Sequence, residues 1–112
     1  IEKTIAEFRC APQDILVWLG PAIGPNQFEV GTDVYQTFTQ HSAQAMQAFQ
    51  QTDATHYLAD IYLLARQRLI ALGISAIFGG DLCTASDNQR FFSYRRDDIT
   101  GRMASMIWIS PK

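Results

Sequence analysis

Charge is scarce in this sequence. Of its 112 residues 18% are Asp, Glu, Lys or Arg, nine basic against eleven acidic, for a net charge of −2. With 47% hydrophobic residues, that balance excludes a disordered acidic segment and a basic nucleic-acid module. Cysteine is nearly absent. Cys10 and Cys83 stand far apart and form no CxxC pattern, so there is no disulfide scaffold, and a reducing, cytoplasmic setting is expected. His41 and His56 are the only histidines, and none of these four residues has the spacing of a local zinc site. Long hydrophobic runs are missing too. The stretch Ile15 to Pro25 is the longest, and its two glycines and two prolines keep it from spanning a bilayer. No basic segment precedes an apolar one, so no leader is expected in what the sequence shows.

What remains is the composition of one domain or part of one, 12.6 kDa in mass. The chain opens on Ile1, and Ile1, Ile5 and Phe8 already lie at helical spacing with no capping residue before them. A missing preceding stretch, or a longer protein of which this is the tail, is therefore expected. Ala11-Pro12 ends that first helix, since a residue before proline leaves the α region. Ile15 to Leu19 is short, apolar and branched, which predicts a strand buried on both faces. Gly20 to Gly31 carries too many glycines and prolines for a regular element and reads as a structured loop with a short extended piece at Gln27 to Val30. Helical spacing resumes at Asp33 to Phe38, with Thr32 or Asp33 as N-cap, and again at Ala43 to Phe49. Gln50 to Thr55 reads as a polar surface loop.

Tyr57 to Leu72 carries the strongest helical pattern. Leu58, Ile61, Tyr62, Ala65, Leu69 and Leu72 recur at three and four residues, and Gly73 supplies the stop. Ile74 to Phe78 follows as a second apolar strand, broken by Gly79-Gly80-Asp81. Thr84 to Arg90 reads as loop, Phe91 to Tyr94 as a short strand or an aromatic plug, and Arg95 to Gly101 as a charged turn. Met103 to Ile109 is apolar on both alternating faces and predicts a final strand inside a sheet. Three strands and at least two helices point to an α/β or α+β sheet.

Few residues could carry chemistry. The Gly20 to Gly31 loop follows a strand, yet it matches neither phosphate-binding glycine pattern, and its prolines remove N–H donors. A rigid loop shaping a pocket or packing a strand edge is the better reading. Cys10 reads as a small core residue closing the first helix, and His41 and His56 as surface residues. Cys83 lies just past a buried strand, where sites on α/β sheets gather, and stays open between pocket and packing. In Phe91-Phe92-Ser93-Tyr94-Arg95-Arg96-Asp97-Asp98, Arg95 beside aromatics could clamp a carboxylate or phosphate. Arg96 could instead pair with Asp97 or Asp98 at a surface turn. Ser93 could donate a hydrogen bond but has no visible base.

Four segments in order, Leu19 to Gly31, Tyr57 to Leu69, Phe78 to Thr84 and Phe91 to Ile109, resemble the carboxyl-terminal half of the YfiH family. That family is labelled multicopper polyphenol oxidase or laccase-domain, and is also described as purine nucleoside phosphorylase and peptidoglycan editing factor. The resemblance implies an α+β fold with a mixed β-sheet core and packed helices, of which residues 1–112 are the C-terminal portion. It further implies a zinc pocket whose ligands lie in the absent amino-terminal half, so no metal ligand is expected among His41, His56 and Cys83. Copper, implied by the older label, lacks a multi-copper ligand set here. The substrate-pocket candidates are Gly24, Phe28, Cys83, Ser93 and Arg95, with Arg95 facing an anionic group and Cys83 lining the pocket.

The implied reactions are phosphorolysis of purine nucleosides and hydrolytic deamination of adenosine, with the isolated segment inactive. One alternative is hydrolytic removal of a wrong amino acid from a peptidoglycan precursor. Another is a non-enzymatic interaction domain. The expected partners are the missing half, purine nucleosides and phosphate, and a second copy through exposed edges; nucleic acid and membrane are not expected.

Overall fold

The structure is a computed structural model in which residues 1–111 are described. Its central element is helix α3, Ile61–Ala71. Asp60 caps it: a carboxylate oxygen accepts the Leu63 N–H at 3.0 Å, satisfying one of the donors that a helix start leaves unpaired. At the other end Gly73 takes φ +87°. Its N–H donates to the Ile70 carbonyl and that of Ile74 to the Leu69 carbonyl, the paired bonds of a glycine-terminated helix. Leu64 and Leu69 are both buried, but in different clusters. The helix is therefore apolar on more than one side because it is packed on more than one side.

On one side lies a parallel pair, β1 (Leu16–Leu19) with β5 (Ala76–Gly79), in the register Leu16 to Ala76 and Trp18 to Phe78. Val17, Leu19 and Ile77 turn inward onto Ile15, Leu69 and Ile74, and Ile5 of helix α1 (Glu2–Glu7) joins them. On the other side is an antiparallel sheet in the order β2 (Glu29–Gly31), β4 (His56–Ala59), β3 (Phe49–Gln51). Helix α2 (Thr32–His41) and a 3-10 segment, Ala43–Ala48, close over it. Tyr35 stacks on Tyr57 with ring centroids 4.2 Å apart, and Phe49 meets both edge-on. A short helix α4, Tyr94–Asp97, follows the second glycine-rich turn.

The α+β class with a mixed sheet content holds, as do the helix stop at Gly73 and the strand after it. Several local expectations do not. Tyr57 to Ala59 is not helix but strand β4, because pairing with β2 and β3 and the Tyr35 stack outweigh local propensity. Gln50 and Gln51 belong to β3, so the surface loop shrinks to the hairpin turn. Neither Thr32 nor Asp33 caps α2: Gly31 holds that position without a side-chain bond. Strand β1 is covered on one face only, with Leu16 75% exposed. Met103 to Ile109 forms no strand and is exposed throughout, since no neighbouring backbone is offered for it to pair with. Phe91 to Tyr94 forms no strand either. The radius of gyration is 15.8 Å, above the roughly 13 Å of a compact domain of this length.

Candidate functional site

Two loops that leave the carboxyl ends of the parallel strands are tied together. β1 runs into Gly20 to Gly24, and β5 into Gly79 to Thr84. Gly79 and Gly80 both adopt positive φ, +82° and +87°, a conformation that side chains with a Cβ resist. A Cβ on Gly79 would also stand 2.5 Å from the Leu19 carbonyl. This double left-handed step turns the chain sharply off the sheet, and Arg66 from α3 donates to the Gly79 carbonyl. The Thr84 N–H then donates to the Ala22 carbonyl at 3.0 Å.

Tyr62, buried on α3, is the pin between the loops. Its hydroxyl accepts the Ala22 N–H at 2.8 Å and donates to the Leu82 carbonyl at 2.8 Å. Above it opens a cleft of about 370 Å³ lined by residues 24–27, Tyr62, residues 80–83 and Ser86. That volume lies within the range of small-molecule sites, about 300–1,000 Å³. A larger hollow of about 480 Å³ lies among Phe92, Tyr94 and residues 98–103, but the exposed carboxyl-terminal arm makes most of its wall. A third hollow, between α2 and α3, holds only about 110 Å³.

Gly24 and Cys83 meet in the cleft wall. The buried Gly24 donates its N–H to the Cys83 Sγ at 3.2 Å, and a Cβ at Gly24 would press on Cys83 at 3.1 Å. Burial pushes the Cys83 thiol up, but hydrogen bonds from the Ser86 side chain and from the backbone of Gly24, Ser86 and Ala85 outweigh it. The net direction is downward, toward the thiolate.

The other predicted residues lie elsewhere. Arg95 places its guanidinium 5.3 Å from the Phe28 ring centroid and donates to the Glu29 carbonyl at 2.7 Å. Phe28 and Arg95 thus come together, but outside the cleft lining. Ser93 is buried as the cap of α4 and accepts the Arg96 N–H at 3.3 Å. Arg96 does pair with Asp97, at 2.7 Å, but it also donates to the carbonyls of Thr84, Ala85 and Phe91.

Sequence reasoning missed Tyr62 and the wider role of Arg96. A tyrosine inside an otherwise aliphatic helical stripe was the available signal for the first, because a buried phenol needs polar partners. His41 is exposed at the end of α2, and His56 pairs with Asp53 on the β3–β4 turn at 2.9 Å; Cys10, expected in the core, is exposed, because α1 ends at Glu7 and leaves it beyond the packed helix face. Among the described residues no three His, Cys, Asp or Glu side chains converge to hold a metal ion, and no helix is long and apolar enough to cross a membrane.

Residues 1–110 match the family model described as multi-copper polyphenol oxidoreductase laccase. The chain is 56% identical over 109 residues to the Escherichia coli K12 protein named purine nucleoside phosphorylase YfiH, covering 97% of this chain and 44% of that one. A Pseudomonas aeruginosa purine nucleoside phosphorylase is 47% identical over 110 residues, 97% of this chain and 46% of its own length. Among solved structures, a Neisseria meningitidis protein superposes with a TM-score of 0.84 at 41% identity, covering 86% of this chain and 40% of that one. YlmD from Geobacillus stearothermophilus gives 0.74 at 32% identity, over 80% and 34%. The chain thus spans less than half the length of the relatives it matches.

Proposed function

Because the chain belongs to the multi-copper polyphenol oxidoreductase laccase family, whose relatives include proteins named purine nucleoside phosphorylases, we propose that it supplies one wall of a purine-nucleoside site. The observation that carries this reading is the cleft held over Tyr62 between residues 24–27 and 80–86. It has the size for a nucleoside, and its rim mixes the amides of Asn26 and Gln27 with the Asp81 carboxylate. Those groups suit the hydrogen-bonding edge of a purine and the hydroxyls of a ribose. Binding and orientation are what these residues contribute; phosphate would then displace the base at the ribosyl carbon, forming a C–O bond as the C–N bond breaks and the base takes a proton.

The described residues form no donor set for zinc or for copper, so no chemical step is assigned to a metal through them. In this reading a zinc ion would be held by ligands of a longer polypeptide, which would also cover the bare face of β1 and β5 and without which the segment is inactive. Adenosine deamination in the same cleft is a finer version of the proposal. The test uses the full-length polypeptide that carries this segment, supplied with inosine and phosphate. The Asn26→Trp variant, changed at an exposed rim position, is expected to raise the nucleoside KM at least about tenfold and leave the thermal midpoint in place. Absence of phosphorolysis in the unchanged protein, or unchanged kinetics in the variant, overturns the proposal. Hydrolysis of a serine-bearing muropeptide by an enzyme inert toward nucleosides would transfer the site to the editing reading.

A further inference from the structure

We propose that Tyr62 is the positioning residue of the cleft: its hydroxyl sets the height of both cleft loops above helix α3, and through them the affinity for a nucleoside. The task needs an apolar body that packs against the core and a polar tip that reaches past it, and tyrosine combines the two. Tyr62 is 6% exposed. Its ring lies against Gly80, where a Cβ would stand 3.2 Å from the Tyr62 Cδ1, so the bare glycine lets the loop pass close over the ring. The hydroxyl emerges between the two loops. There it accepts the Ala22 N–H at 2.8 Å and donates to the Leu82 carbonyl at 2.8 Å, with the Ala22 carbonyl as a second acceptor at 3.2 Å.

The remaining links differ in kind. The Thr84 N–H donates to the Ala22 carbonyl at 3.0 Å and the Gly24 N–H to the Cys83 Sγ at 3.2 Å. Both join one loop to the other, and neither reaches the helix. They fix the width of the cleft, whereas Tyr62 fixes the pair of loops to its floor. Arg66 stands one turn further along α3 and donates to the Gly79 carbonyl. It holds the second loop where it leaves β5 and leaves the stretch from Leu82 onward to Tyr62. Among the described residues, Tyr62 is the one side chain of α3 hydrogen-bonded to the Gly20 to Gly24 loop.

Removing the hydroxyl would leave the Ala22 N–H and the Leu82 carbonyl without that partner in a partly buried place, which costs more than the bond itself contributed. The direct links between the loops would persist, so the loops are expected to lift from α3 together and not to part. Asn26, Gln27 and Asp81, which line the cleft above, would then keep their places relative to one another and change their distance from the floor. The hydroxyl is spent on backbone groups and offers nothing to a substrate. Its effect therefore falls on binding, through the rim, and not on the chemical step.

This inference rests on the nucleoside reading of the cleft, and its test separates the two. In the full-length polypeptide supplied with inosine and phosphate, Tyr62→Phe is expected to raise the inosine KM about tenfold, with kcat and the phosphate KM within about twofold of the unchanged protein. By NMR the Ala22 amide should exchange faster, while the Thr84 amide, held by the Ala22 carbonyl, keeps its rate. Ile74→Ala weakens the core beneath β1 and β5 without touching either loop, so it controls for lost stability alone and should leave the inosine KM in place. An unchanged KM in Tyr62→Phe, a fall confined to kcat, or an equal KM rise in Ile74→Ala overturns the proposal, and so does an unchanged Ala22 exchange rate. Should Tyr62→Phe fail to fold, the unchanged protein decides: a protected Ala22 amide upholds the link, and one exchanging at the free-peptide rate overturns it. A protein without phosphorolysis sinks the nucleoside reading alone, and faster Ala22 exchange in Tyr62→Phe then still upholds the hydroxyl as the tie between loops and helix.

Discussion

The antiparallel sheet and the parallel pair reach burial by different routes. β2, β3 and β4 all fall between Glu29 and Ala59, and the helix that covers them starts directly after β2. Their aromatic residues, Tyr35, Phe49 and Tyr57, find one another within that span. β1 and β5 meet only after the whole intervening unit has been laid down, and α3 covers just one face. On the other face Leu16 is 75% exposed and Phe78 58% exposed. Parallel strands are ordinarily covered on both faces. Local closure therefore completes one sheet inside this chain, whereas the non-local pair presents its loops to a cleft on one end and an uncovered apolar face alongside it.

The largest expected effect tests whether the two sheets are one cooperative unit. Ile74 is 1% exposed in the cluster beneath β1 and β5. Ile74→Ala should cost about 2–5 kcal/mol through lost burial and the cavity left behind, measured by urea unfolding. Hydrogen exchange should then show protection falling in β1 and β5 while the β3–β4 hairpin keeps more of its own. Equal loss in both sheets would break the distinction.

A smaller effect belongs to the helix that both share. Asp60→Ala removes the bond to the Leu63 N–H and should cost about 1 kcal/mol. Because Leu64 and Leu69 serve different cores, exchange protection should fall on both sides of α3. A loss confined to the antiparallel sheet would mean that α3 supports the parallel pair without its first turn.

Asp60 also shows where the sequence was legible and where it was not. The stripe from Leu58 to Leu72 marks α3, its stop at Gly73 and the strand beyond. What it could not mark was that the helix begins at Ile61, since Leu58 in a half-buried strand and Leu58 in a helix satisfy the same apolar spacing. In the sequence Asp60 falls inside the apolar stripe, and only its geometry identifies it as the cap. Met103 to Ile109 failed for the complementary reason: alternation states a preference for a sheet, not the presence of a strand to pair with. Of the candidate residues, Gly24 and Cys83 lie together in the cleft wall; Cys83 draws attention in the sequence because it lies just past a strand, and Gly24 enters through the family resemblance. Arg96 was read as a partner of Asp97 or Asp98, and it pairs with Asp97; its further bonds were not legible, because nothing in a linear sequence reveals carbonyls that a turn brings round.

The smallest effect lies in the turn that closes the antiparallel sheet. His56 hydrogen-bonds Asp53 at 2.9 Å, and that bond followed by the Asp53 charge raises the imidazole pKa from its ordinary 6.5. Asp53 moves the opposite way, held down first by the Thr55 N–H and then by His56. A raised histidine pKa contributes stability that is full below the unfolded value and is lost as pH rises through the folded one. A lowered carboxylate pKa contributes stability above its unfolded value and loses it as pH falls through the folded one. The turn should therefore be firmest between the acidic range where Asp53 protonates and the range above 6.5 where His56 loses its proton. Titration of the His56 ring by NMR should give a midpoint above 6.5 that falls back in Asp53→Asn. The amides of β3 and β4 should exchange faster as pH crosses that midpoint, after correction for the intrinsic rate, and those of β1 and β5 should not. A response spread over both sheets would tie the hairpin turn to the parallel pair and dissolve the independence on which the comparison rests.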